Sequence, residues 1–205
     1  MIAPRLIAIT DTTVAPLGVL EARIEMLCAL AAPGSVLVQL RDLALPTRAR
    51  IDLGVRLRAL TRRSAQLLSV NDRVDLAVLL EADALHLGES GVSTADARRV
   101  VGDLWISRAL HDPARAPDLD ADALLLSPVI AARKGRSALG LEGLSRCRRL
   151  LARRSSPPAL FALGGIRAES ARACLDAGAQ GVAVIGAVLG GAPLEPLVAA
   201  VGAAR

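Results

Sequence analysis

Aromatic side chains are almost missing from this chain: one Trp, one Phe and no Tyr make up 1% of its 205 residues. A core must therefore be filled by Ala, Val, Leu and Ile, and the composition argues against single-stranded nucleic-acid binding by base stacking on rings. Cysteine is also scarce. Cys28, Cys147 and Cys174 are odd in number, far apart and set in helical apolar patterns, which supports neither a disulfide framework nor a zinc ribbon and leaves buried free thiols as the expectation. No apolar run approaches the roughly 20 residues needed to span a bilayer. The N-terminal stretch MIAPRLIAITD lacks the longer apolar region and small-residue cleavage site of a signal peptide. A cytoplasmic protein without membrane contact is expected. Lysine is the last shortage: Lys134 alone stands among 25 basic residues.

The net charge of +5 does not by itself indicate DNA or RNA. The densest basic stretches, Arg56 to Arg63 and Arg146 to Arg154, fall on segments with helical apolar spacing and read as outer helix faces. No clustered basic footprint emerges, so nucleic acid is not an expected partner, whereas an anionic small molecule is compatible with the charge. At 53% apolar composition the chain can bury a sizeable core, and its length fits one domain over 1–205.

Short apolar runs bounded by turn residues alternate eight times with longer stretches of helical periodicity. The strand candidates are Leu6 to Thr10, Val36 to Arg41, Ala65 to Val70, Ala84 to Gly88, Leu104 to His111, Ala123 to Val129, Ala159 to Gly164 and Gly181 to Gly186. Helices are expected near Val19 to Ala32, Thr47 to Arg63, Arg73 to Glu81, Thr94 to Val101, Pro113 to Asp120, Leu141 to Arg154, Arg167 to Ala177 and Leu194 to Ala203. Continuous apolar strands such as LLLSPV and ALFALGG suit a parallel sheet covered on both faces, and eight such units point to a closed (β/α)8 TIM barrel. A doubly wound open sheet is the rival fold, but the first strand leads into DTTVAPLG rather than a GxGxxG turn. The longest irregular stretch, Ile130 to Gly140, is basic and glycine-containing, as befits a loop at a barrel mouth.

In such a barrel the chemistry belongs at the carboxyl ends of the strands. Those ends carry Gln39-Leu40-Arg41-Asp42, Asn71-Asp72, His86-Leu87-Gly88-Glu89, Arg108 and His111, Ser127-Pro128 followed by Lys134, Gly164-Gly165-Ile166, and Ile185-Gly186-Ala187. Glycines before a helix let the backbone approach a ligand and present N–H groups to a phosphate. Asp72 suits either Mg²⁺ or the N-cap of the helix beginning at Arg73. Arg41 offers a bidentate fork, and Lys134 a point charge, to phosphate. His86 is expected as a hydrogen-bonded structural histidine, and His111 could cap the segment that starts at Asp112. No zinc-ligand spacing, GxSxG elbow or Walker loop is present.

Taken in order, AITD, VQLRD, NDRVDLA, ADALHLGES, SRALH, ADALLLSPV, ALGGI and GVAVIGAV resemble the thiamine phosphate synthase/TenI family from about Leu6 to Val188. The resemblance implies a (β/α)8 barrel, commonly oligomeric, that joins hydroxymethylpyrimidine diphosphate to a thiazole phosphate with loss of pyrophosphate, using Mg²⁺. Its partners would be these phosphorylated pyrimidine and thiazole molecules, with a homo-oligomer as the possible assembly. It places Gln39, Arg41 and Asn71 on the pyrimidine diphosphate, Asp72 on Mg²⁺ with Glu89 as a substitute second ligand, and Lys134 on the departing pyrophosphate. Gly164, Gly165, Ile185 and Gly186 would hold the thiazole phosphate. The chain departs from the synthase pattern at Leu43, where a Lys is usual, at Glu89-Ser90-Gly91, at the IAAR segment before Lys134, at Ala109 and at Gly186. The TenI-like branch implies a thiazole tautomerase instead, but its histidine at the sixth strand end is Pro128 here. A third reading is a non-catalytic paralogue that binds thiazole phosphate or thiamine phosphate.

Overall fold

A computed structural model describes residues 4–133 and 135–205; Lys134 therefore lies outside the described residues. Eight parallel strands follow the order β1 (Leu6–Ile9), β2 (Val36–Leu40), β3 (Leu67–Asn71), β4 (Ala84–Leu87), β5 (Trp105–Leu110), β6 (Ala123–Leu126), β7 (Ala159–Leu163) and β8 (Gly181–Val184). Each pairs with its neighbour in sequence, and β8 returns to β1 through Leu6↔Val182, which closes the barrel. The expected (β/α)8 architecture is observed. Strands β1, β2, β4, β6 and β8 are buried at every position, as a sheet with side chains inside and helices outside requires.

The outer layer contains α1 (Leu17–Leu30), α2 (Thr47–Arg63), α3 (Val74–Leu79), α4 (Thr94–Val101), α5 (Gly140–Leu151), α6 (Ala168–Asp176), α7 (Gly186–Leu189) and α8 (Glu195–Ala200). Helix α2 buries Leu53, Gly54, Leu57, Leu60 and Thr61 at three- and four-residue intervals, the stripe that periodicity predicts. Ser93 begins α4 by accepting the Asp96 N–H at 3.0 Å, a standard N-cap.

Three details correct the sequence reading. The segment expected as a helix from Pro113 is a 3₁₀ turn, Pro113–Asp118, with Pro117 inside it; a proline within the run has no N–H to give to an α-helical ladder. Strand β8 ends at Val184, and Gly186 opens the short α7, which the apolar run GVAVIGAV had concealed. Arg58 does not belong to an outer face. It is buried on α2 and donates to Asp83 Oδ2 at 2.8 Å and to the Glu81 carbonyl at 3.0 Å.

Polar side chains satisfy the lower rim of the barrel. Gln66, Asp83 and Asp122 each stand just before a strand and accept an N–H from the preceding one: Val36 at 3.0 Å, Leu68 at 2.8 Å and Ile106 at 2.7 Å. Within the barrel, Trp105 on β5 and Phe161 on β7 meet edge to face at 6.2 Å across the intervening β6. That contact shows that Trp105 points inward, and by the two-residue period so does Ser107. The cysteines are free and buried, with desolvation pushing each thiol up to about 11. No helix among the described residues is long and apolar enough to cross a membrane.

Candidate active site at the barrel mouth

A polar layer begins above the aromatic pair. His86 and Ser107 are register partners on β4 and β5, and His86 Nδ1 lies 2.9 Å from Ser107 Oγ. Asn71 is the register partner of His86 on β3. Its Oδ1 accepts from Gln39 Nε2 at 3.2 Å, and its Nδ2 donates to Asp72 Oδ2 at 2.7 Å. Asp72 Oδ1 accepts the Gly88 N–H at 2.7 Å. Parallel pairing thus joins Gln39, Asn71, Asp72 and the β4 turn in one hydrogen-bonded row.

Asp72 does not cap α3: that helix starts at Val74 after Arg73 without a side-chain cap. Its backbone instead adopts a left-handed φ of +57°, uncommon for a residue with a Cβ, which turns the carboxylate toward the turn after β4. Gly88 and Gly91 enclose it. A Cβ on Gly91 would fall 2.9 Å from Asp72 Oδ1, and one on Gly88 would fall 3.3 Å from both oxygens. That turn is in turn held by Arg108, which donates to Val92 O at 2.9 Å, to Gly88 O at 3.2 Å and to Thr94 Oγ1 at 3.4 Å.

Burial keeps His86 neutral. Desolvation, reinforced by the charges of Arg108 and Arg41 and opposed by Asp72, lowers its pKa from the ordinary 6.5 to about 4. Arg41, just beyond β2, reaches across to β1, where its Nη2 lies 2.6 Å from Asp11 Oδ2. Desolvation pushes the Asp11 carboxyl upward, but hydrogen bonds from the Thr13 hydroxyl and N–H, together with the charges of Arg41 and Arg133, hold it below its usual range. Asp42 beside Arg41 is buried and accepts the Thr12 N–H at 2.6 Å. Asp11 was not among the expected site residues, and Asp42 and Arg108 were placed at strand ends without an assigned role. The acid ending AITD was the signal for Asp11, since it stands at a strand's carboxyl end.

Glu89 is drawn elsewhere. Its carboxylate lies 3.5 Å from Arg115 Nη1, 3.6 Å from Arg136 Nη2 and 3.9 Å from His111 Nε2. His111 does not cap the 3₁₀ turn, a role taken by Asp112 through the Ala114 N–H at 2.9 Å. Its Nδ1 faces Ser127 O at 2.8 Å, which requires that nitrogen to carry the proton. No group of three His, Cys, Asp or Glu side chains among the described residues forms a metal cluster.

Gly164 and Gly165 follow β7 with φ of +105° and +74°. Their added Cβ atoms would meet Pro128 Cα at 2.9 Å and Ala131 Cβ at 2.4 Å. Both glycines therefore let the connection after β6 pack against β7. Gly186 differs, because a Cβ there would meet nothing within 4 Å; with Ile185 it forms the entry to α7. A cleft of about 430 Å³ lies at the opposite end of the barrel, lined by Arg148, Gln180 and Pro157 among others. It gathers one cation and one amide, and the mouth gathers the chemistry.

Comparison with known proteins points the same way. The family profile described as thiamine monophosphate synthase matches residues 6–188. A thiamine-phosphate synthase from Gloeobacter violaceus is 40% identical over 164 residues, covering 77% of this chain and 47% of the relative, so the chain spans about half of that protein. A thiamine-phosphate synthase from Moorella thermoacetica is 37% identical over 176 residues, with 82% and 81% covered. Among solved structures, the thiamine phosphate pyrophosphorylase from Pyrococcus furiosus superposes with a TM-score of 0.79 at 30% identity, covering 98% of this chain and 96% of that one.

Proposed function

Because this chain belongs to the thiamine monophosphate synthase/TenI family, we propose that it is a transferase that joins hydroxymethylpyrimidine diphosphate to a thiazole phosphate and releases pyrophosphate. The observation that carries the reading is the row from Gln39 through Asn71 to Asp72, hydrogen-bonded across adjacent strand ends in a chain whose relatives bear that name.

In this reading the amides of Gln39 and Asn71 orient the pyrimidine, and Arg41 faces its diphosphate with a planar fork. The methylene C–O bond breaks with its electron pair passing to the departing diphosphate. The thiazole nitrogen supplies the pair that forms the new C–N bond. Burial of the neutral His86 and Ser107 lines the floor with groups that add no charge to the developing cation. Lys134 and Arg41 offset the charge of the leaving group, while Gly164, Gly165, Ile185 and Gly186 hold the thiazole phosphate.

The donor set fits Mg²⁺ through Asp72 alone. Each of its oxygens accepts one hydrogen bond, leaving a lone pair on each, and the remaining ligands would be diphosphate oxygens and water. When bound, the ion would neutralise charge building on the leaving group.

Pyrophosphate release from the two substrates, measured with Mg²⁺ and with EDTA and with thiamine phosphate identified by mass, tests the proposal. Metal-dependent product is expected, and Asp72→Asn should lower turnover by about a hundredfold. Folded protein that binds thiazole phosphate yet forms no product would overturn it in favour of the tautomerase or the binding paralogue.

A further inference from the structure

The connection from β6 to α5 is tied down at both feet. Val129 N donates to Leu163 O at 2.9 Å and Ile130 N to Gly164 O at 2.9 Å, while Leu139 N and Gly140 N return to Pro128 O and Val129 O at 2.9 Å each. Its tip is a tight turn in which Arg133 and Arg136 exchange two backbone hydrogen bonds of 3.0 Å, with Gly135 at φ +74°. In the sequence, three of the four residues at 133–136 are basic: Arg133, Lys134 and Arg136. Concentrating cations in four residues is self-repelling unless anions face them. Two carboxylates do so: Asp11, which feels the charge of Arg133, and Glu89, which lies against Arg136.

Glu89 also meets Arg115 from the 3₁₀ turn and His111 from the end of β5. One carboxylate thus gathers two arginines and a histidine from three segments around the mouth. The two arginine separations, 3.5 and 3.6 Å, are ion pairs rather than tight hydrogen bonds, and both arginines are a third or more exposed. Each contact is weak and exchangeable. On the β2 side, Leu43 is 64% exposed and contributes no charge.

We propose that Glu89 is a positioning residue, an ionic latch that holds the basic turn at 133–136 against the mouth and keeps Arg136 and Arg115 ready for the diphosphate of the pyrimidine substrate. It is not a metal ligand. A diphosphate carries more charge than one carboxylate and offers several acceptor oxygens, so on binding it takes both arginines from Glu89. Only the identity of this anion rests on the synthase reading; the latch itself does not.

Trypsin reports on the latch without any turnover, because the turn supplies its own cleavage sites. Glu89→Gln should accelerate nicking at 133–136 about fivefold at unchanged Tm, the scale of a few weak exposed ion pairs. Glu89→Asp should restore part of the protection, and Arg136→Ser, made from the other side of the contact, should be nicked at Arg133 at the same raised rate. Inorganic pyrophosphate should slow nicking of the unaltered protein. Unchanged nicking in both Glu89→Gln and Arg136→Ser would overturn the latch. In steady state, Glu89→Gln should raise KM for the pyrimidine diphosphate about fivefold and leave the half-saturating Mg²⁺ concentration unchanged. A tenfold or larger rise in that Mg²⁺ concentration would overturn the assignment and make Glu89 a metal ligand. If the unaltered protein forms no product, the synthase reading fails while the trypsin and pyrophosphate results still decide the latch.

Discussion

His86 is a buried polar ring in the layer above the barrel's aromatic pair, and its surroundings keep it uncharged. Its folded pKa of about 4 lies below the ordinary 6.5, so between those values the unfolded chain binds a proton that the folded chain does not. Stability from this group is therefore complete above about pH 6.5 and is lost as the pH falls through the window toward 4. At pH 5 the loss should be about 2 kcal/mol. Urea unfolding at pH 7 and pH 5 in EDTA buffer should show it, and His86→Asn should remove most of the difference. An equal pH dependence in both proteins would assign the effect to other groups. The sequence indicated a hydrogen-bonded histidine here, but its partner Ser107 could be found only from the parallel register of β4 and β5.

Elements of this barrel reuse a short device. The segment Ala-Asp-Ala-Leu occurs at 82–85 and again at 121–124. In both copies the aspartate accepts a strand N–H and pairs with an arginine of the helix that covers it: Asp83 with Arg58 of α2, and Asp122 with Arg98 of α4. Asp83→Ala should cost about 2–3 kcal/mol, since it strands the Leu68 N–H and leaves a buried guanidinium without its carboxylate; chemical denaturation measures this. A second prediction at this scale concerns Gly165. Alanine there meets both a φ of +74° and the Ala131 backbone nitrogen at 2.8 Å, so Gly165→Ala should lower stability by about 1–3 kcal/mol. It should also raise trypsin nicking of the neighbouring basic turn, which a role confined to phosphate binding would not do. The sequence marked Gly164-Gly165 for ligand approach; their use in seating the β6–α5 connection depended on a neighbour more than thirty residues away in the chain.

Over the whole molecule, closure depends on the seam between β8 and β1. A Cβ on Gly181 would fall 2.4 Å from the Arg5 carbonyl oxygen and 2.8 Å from Phe161 Cε1. Backbone on one side and a buried ring on the other leave no direction of relief. Gly181→Ala should therefore lower stability by about 2–4 kcal/mol, read as a fall in the urea midpoint with the barrel's far-UV signal retained in buffer.

The strand and helix order was written in the sequence because a parallel barrel strand is buried on both faces and must be apolar throughout, while each covering helix repeats its apolar stripe every three or four residues. Those local patterns located all eight strands and named Gln39, Asn71 and Asp72 as residues at strand ends. They failed where local chemistry competed with the pattern, at the proline-broken turn after β5 and at the glycine that converts the end of GVAVIGAV into α7. Pairing lay beyond them. Whether Asp72 capped a helix or faced the turn after β4, and whether Glu89 met that carboxylate or the cations of Arg115 and Arg136, depended on side-chain directions fixed only when the strands closed into a ring. Sequence determines which groups stand at the mouth through local burial and periodicity, and tertiary structure decides which of them meet, because register and closure bring together residues distant in the chain.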